Sequence, residues 1–232
     1  MEATGRSFSH GSKNRLTAHD LDRFTTDSLF DRIARAVCEA GCLPRKELYE
    51  AWEVARRTRR RLRGGRVVDL AGGHGLLAHL MLLLDDTSPS AVVVDHAIPP
   101  SAATLRDALR RTWPRLDGRV TSVAQDVGRF QLNEGDVVVS SHACGTLTDI
   151  VLDRAVAARV AVAVLPCCHD LSAPAVKRLQ GWLDGALAID VQRAERLARE
   201  GYRVWTQTIP AEITPKARLL LGAPATSTST CG

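Results

Sequence analysis

The chain has 232 residues, 45% of them hydrophobic and only 4% aromatic, which suits one ordinary globular domain with a core of Ala, Val and Leu. No run has the length and apolarity to cross a bilayer, and Glu2 with its polar neighbours stands where a signal peptide carries its apolar stretch, so an intracellular, cytoplasmic protein is expected. Six scattered cysteines make no disulfide framework, and the net charge of +5 leaves a polyanionic partner open.

Residues 1–25 are polar and mixed, and are expected to be loosely ordered. Asp27 can cap a helix reaching Ala40, with Leu29, Ile33 and Val37 on its apolar face and Gly41 as its stop. Pro44 suits the first turn of a second helix, through Leu48, Trp52 and Ala55 to Leu62. Residues 1–62 therefore read as a small helical cap. From Arg66 strands alternate with helices: Val67–Leu70, a helix from Leu76, Ala91–Asp95, a helix from Pro99 or Pro100, Val120–Ala124, Val137–Val139, a helix around Leu147–Ala155, Val160–Leu165 and a helix Ile189–Arg199. Apolar strands alternating with helices predict a parallel sheet covered on both faces. Tyr202–Ile209 and Arg218–Leu221 have only a short link between them, which permits antiparallel pairing alone. The predicted class is thus α/β and Rossmann-like, mostly parallel with a closing hairpin, over residues 63–222; residues 223–232 read as a disordered tail.

Arg56, Arg57, Arg59, Arg60, Arg61, Arg63 and Arg66 form a basic stripe with no acid among them. Such a stripe can neutralise RNA phosphates, or simply be a solvated helix end. No membrane partner is expected.

The first strand runs into Asp69-Leu70-Ala71-Gly72-Gly73-His74-Gly75 and then an apolar helix, the setting a nucleotide-binding turn requires. Gly72, Gly73 and Gly75 let the backbone approach a ligand, and the helix N-terminus offers free N–H groups. Asp95 ends the next strand, twenty positions after Gly75, and can accept ribose hydroxyls; Asp126 follows the third strand and can accept an adenine amino group. Gly73-His74-Gly75-Leu76-Leu77-Ala78 also fits a dinucleotide loop, so a nicotinamide oxidoreductase is one alternative. A non-catalytic RNA-binding module on the same fold is another. Asp69, suited to a methionine amino group rather than a pyrophosphate, and the closing hairpin favour methyl transfer.

DLAGGHG (69–75) resembles motif I of class I S-adenosylmethionine-dependent methyltransferases, with Ala71 at the first glycine, and VVVDHA (92–97) resembles their acidic second motif. SSHACGTLTD (140–149), VAVLPCCHDL (162–171) and TPKAR (214–218) resemble a branch that includes tRNA acceptor-stem ribose 2′-O-methyltransferases and a domain fused to a glutathione-transferase-like module. The resemblance implies a seven-stranded sheet, S-adenosylmethionine as cofactor and an RNA acceptor.

A hydroxyl acceptor must lose a proton as it attacks, and His142 is the candidate base or positioning group; bonding to a backbone carbonyl is its bland alternative. Cys144 is a candidate nucleophile, though a small packed core residue is the expected role. Thr146 or Thr148 can cap the helix that follows. Cys167, Cys168 and His169 are read as a wall facing the acceptor, and Lys216 as a phosphate contact or solvated turn residue. No metal is expected, because adjacent cysteines seldom share an ion and no C-x-x-C pair occurs.

Overall fold

Strands buried on both faces are the source of the continuous valine runs. In the computed structural model, which describes residues 8–172 and 174–225, they form β1 (Val67–Leu70), β2 (Ala91–Asp95), β4 (Val137–Ser140) and β5 (Ala161–Val164), while β3 (Val120–Ala124), at the edge, is largely exposed. These five are parallel; β6 (Tyr202–Thr208) and β7 (Arg218–Pro224) close the sheet as an antiparallel pair. The seven-stranded order is β3-β2-β1-β4-β5-β7-β6. The order reverses between β1 and β4, and open α/β sheets bind ligands beyond the strand ends at such a crevice.

The two-residue period of the strands divides the core. Val67, Val93 and Val137 face α1 (Leu29–Ala40), α2 (Arg45–Arg59), α3 (Leu76–Leu84) and α4 (Ala102–Thr112). Val68, Val92 and Val138 face α5 (Thr146–Ala158) and Leu197 of α7 (Gly185–Arg199). The N-terminal helices share one core with the sheet. Order also begins earlier than the polar composition suggests: Leu16 is fully buried, Phe24 nearly so, and a 3₁₀ turn spans Ala18–Arg23 between them.

Several ends differ from the sequence expectation. Ser28, not Asp27, caps α1, accepting the Asp31 N–H at 3.1 Å. Gly145 precedes α5, while Thr148 is buried and donates to the Ala143 carbonyl at 2.5 Å. A six-residue helix, α6 (Pro174–Leu179), lies in a stretch without helical periodicity. Strand β7 runs through Pro224, into the expected tail, because its backbone continues to pair with β6. Residues 226–232 of that tail, with Cys231, lie outside the described residues.

Candidate active site

The glycine turn lies flat on β1 and β2 because two of its positions have no room for a side chain. A methyl at Gly72 would stand 2.7 Å from Asp69 Cγ and 2.8 Å from Val93 Cγ1; one at Gly75, whose φ is +77°, would stand 2.6 Å from Val93 Cγ2. Ala71 adopts φ 58°, a left-handed conformation that costs an alanine about 1–2 kcal/mol. Gly73 differs: a methyl there would meet nothing within 4 Å, so its backbone borders open space. Asp95 braces the turn by accepting the Gly73 N–H at 3.0 Å.

That open space is a cavity of about 300 Å³ lined by Glu47, Ala71, Gly73, Asp95, His142 and Leu147, among others. Asp69 lies beneath it, 1% exposed, with one carboxylate oxygen accepting the Ala78 N–H at 3.2 Å at the start of α3. Its other oxygen is buried and has no partner among the described residues. Burial pushes the Asp69 carboxyl up to about 7, although His142 and the Ala78 N–H favour its ionised form. An orphaned buried carboxylate oxygen, a side-chain-free backbone at Gly73 and the Asp95 carboxylate together fit an adenosine carrying a cationic amino-acid arm. Asp126 stands on the same rim, since Asp95 pairs with Ala124. It is exposed, outside the cavity lining, and caps a short turn by accepting the Gly128 N–H at 2.7 Å. A larger cavity, about 630 Å³, lies between α7 and the closing hairpin, with Pro166, Asp190 and Arg218 in its wall. It touches neither the glycine turn nor Asp95, both of which border the smaller one.

His142 sits beside the cavity with its Nε2 3.6 Å from Glu47 Oε1. Burial opposes its protonation, yet the contact with Glu47 and the charges of Glu47, Asp69 and Glu50 outweigh it and raise its pKa. Glu47 was not singled out in the sequence. Its signal was faint: Glu47, Glu50 and Glu53 recur every third position on a helix whose apolar face is Leu48, Ala51 and Val54, and the last two glutamates are buried.

The acceptor wall differs from the sequence expectation at Cys144 and His169. Cys144 is exposed rather than packed in the core. Its Sγ lies 2.6 Å from Cys167 Sγ, and the thiols of Cys144, Cys167 and Cys168 all fall within 4.8 Å of one another. His169 does not stand open on a wall: its ring is buried and Nε2 meets Asp190 at 2.8 Å, where Arg193 and Arg218 also bind. Lys216 is exposed, but its ammonium donates to Cys168 Sγ at 3.5 Å rather than standing wholly in solvent.

The basic stripe is broken up by partners distant in sequence or outside the run. Arg56 and Arg57 both bind Glu53 at 2.9 Å, and Arg66 binds Asp136 at 2.7 Å. Arg59 is buried, paired with Asp85 at 3.2 Å and bonded to the Met81 carbonyl and Ser88. Arg60, Arg61 and Arg63 remain exposed, just before β1 and thus at the amino-terminal end of the strands, opposite the glycine turn. Helix α2 separates them from Glu47 by about 20 Å.

A sheet of this order, with its antiparallel final strand inserted beside β5 and a glycine turn after β1, is the fold of S-adenosylmethionine-dependent methyltransferases. A dinucleotide domain would place a sixth parallel strand there. The chain belongs to the methyltransferase domain family, which it matches over residues 46–174, more than half of its length. The donor for this class of enzyme is S-adenosylmethionine. Among solved structures, the chain is similar to an O-methyltransferase family protein from Burkholderia thailandensis, with 20% identity, 90% of this chain and 63% of that one covered, and a TM-score of 0.51. It is also similar to the mitomycin 7-O-methyltransferase MmcR, with 20% identity, 88% and 60% covered, and a TM-score of 0.51. The S-adenosylmethionine-dependent methyltransferase SibL gives 16% identity, 91% and 66% covered, and a TM-score of 0.51. At these identities the likeness carries the fold alone, and the chain spans about three-fifths to two-thirds of each structure's length. No curated protein sequence matches the chain. Among the described residues, no helix is long and apolar enough to cross a membrane.

Proposed function

We propose that this chain transfers a methyl group from S-adenosylmethionine to a hydroxyl oxygen of RNA, a ribose 2′-hydroxyl being the acceptor that best suits its chemistry. Bound beside Gly73, S-adenosylmethionine would supply an electrophilic methyl group. The protein's part is to hold the two reactants in line, exclude water and take the acceptor's proton. Asp69 offers its unpartnered oxygen to the methionine ammonium, Asp95 its carboxylate to the ribose, and Asp126 an exposed acceptor on the adenine side. His142 is placed to accept the hydroxyl proton, and Glu47 stabilises the imidazolium that results.

The observation that carries the RNA reading is on the carboxyl-terminal rim of the sheet. The β5–α7 connection presents Trp182, 88% exposed, with Lys177 and Arg178 exposed on α6. Lys216 joins them from the β6–β7 link on the same rim. An exposed indole and exposed cations on one rim suit an unstacked base and its flanking phosphates. This arrangement, on the rim that carries His142, favours RNA over the distant Arg60–Arg63 group. The likeness of HACG and PCCH to a tRNA-modifying branch points the same way.

Incubation with S-adenosylmethionine labelled at the methyl group, followed by separation of total RNA, protein and metabolites, tests the reading. Label is expected in RNA as an alkali-resistant 2′-O-methyl dinucleotide. Label confined to protein or metabolites would overturn the RNA acceptor, and failure to bind S-adenosylhomocysteine in calorimetry would overturn the transferase itself.

A further inference from the structure

The β4–α5 and β5–α6 loops bring three sulfur atoms to one point. Cys144 comes from the first loop, Cys167 and Cys168 from the second, and none is closed off in the core. The loops are tied together: the Gly145 N–H donates to the Cys168 carbonyl at 3.3 Å. Each is also anchored beneath, by Thr148 on the Ala143 carbonyl and by His169 on Asp190. Adjacent cysteines in an extended strand would point to opposite faces. The irregular backbone after β5 lets Cys167 and Cys168 converge instead.

We propose that Cys144, Cys167 and Cys168 bind one zinc ion through three thiolates, with the fourth position of its tetrahedron open to the acceptor side of the rim. Three protein ligands and one open position are the pattern of a zinc ion that acts on a bound molecule rather than one that only staples a fold. With zinc–sulfur bonds of about 2.3 Å, tetrahedral sulfurs stand about 3.8 Å apart. The three sulfurs already lie within 4.8 Å, so the Cys144–Cys167 pair, now at 2.6 Å, must open by roughly 1 Å as the ion enters. His169 is held by Asp190 and supplies no fourth ligand, which leaves that position to water or to a donor atom of the acceptor. On binding, three thiols lose three protons to solvent and the site gains one net negative charge. The Lys216 ammonium, 3.5 Å from Cys168 Sγ, stands where it offsets that charge. The competing chemistry for thiols this close is a Cys144–Cys167 disulfide, which would leave Cys168 without a role.

The test is independent of methyl transfer. Purified protein, reduced and held without oxygen, is loaded with zinc sulfate, desalted and assayed by atomic emission. One ion per chain is expected, falling at least tenfold in retention for Cys144→Ser and for Cys167→Ser. Because a serine variant can fail by misfolding, the unmodified protein is also titrated with cobalt(II). Near-ultraviolet bands of thiolate–cobalt charge transfer, with tetrahedral visible bands at one equivalent, support the site. Absence of those bands, or equal zinc retention in the Cys144→Ser/Cys167→Ser/Cys168→Ser variant, overturns it. A Cys144–Cys167 disulfide that persists under the reducing conditions also overturns it.

Discussion

Glu47 Oε1 lies 3.6 Å from His142 Nε2, joining the first turn of α2 to the loop after β4 across the cavity. The pair favours the protonated form of His142, whose pKa is raised from its ordinary value of 6.5.

A base must be neutral to accept a proton, so the rate of transfer should rise with pH through that raised pKa. Glu47→Gln removes the largest of the influences that raise it, leaving those of Asp69 and Glu50, and should move the acid limb of the rate profile to lower pH. His142→Ala should lower kcat by about 10²–10⁴-fold. An acid limb unchanged in Glu47→Gln would show that His142 is not the base. The linkage has a definite sign: a raised histidine pKa stabilises the fold below the unfolded value, and that stabilisation is lost as pH rises through the folded one. Urea denaturation across this range should therefore show a smaller loss in Glu47→Gln.

Asp69 titrates in the same sense for a different reason. Burial raises its pKa from 3.8 to about 7, so its contribution to stability is greatest below the unfolded value and is lost between those two points as pH rises. Asp69→Asn should then stabilise the ligand-free protein above neutral pH by an amount on the order of a few kcal/mol, with no gain in acid. The same change should weaken S-adenosylmethionine binding about 10- to 100-fold, since a charged hydrogen bond to the ammonium is lost. Denaturant midpoints against pH and calorimetry with S-adenosylhomocysteine check the two halves separately.

The glycine turn offers a paired comparison. Gly75→Ala places a methyl 2.6 Å from Val93 Cγ2 at φ +77°, and should cost about 2 kcal/mol or more. Gly73→Ala meets open space and should cost about 1 kcal/mol, yet its methyl enters the cavity and should weaken cofactor binding more than it weakens the fold. Equal effects of the two changes on stability would contradict the described packing.

Arg59 belongs to the interior. Arg59→Ala leaves Asp85 buried without its partner and should cost about 3–5 kcal/mol in a denaturation experiment. The cations to vary for RNA contact are Lys177, Arg178 and Lys216. Reversing them to glutamate should weaken RNA binding and flatten its salt dependence, whereas reversing Arg60 and Arg61 should change it much less.

The sequence by itself determined the strands, their parallel run with a closing hairpin, and the glycine turn after the first of them. Valine runs, glycine spacing and terminal aspartates are local signals, written within a few residues of where they act. It also placed the HACG and PCCH loops after neighbouring strands. Only the tertiary structure showed that Arg59 is buried on Asp85, that Glu47 meets His142, that His169 turns inward to Asp190 and that three thiols converge. Each of them brings together residues more than twenty positions apart, the thiol cluster through Cys144 and the Cys167–Cys168 pair. No periodicity encodes them, because a side chain's partner across space is set by how helices and strands pack, and packing is a property of the whole fold.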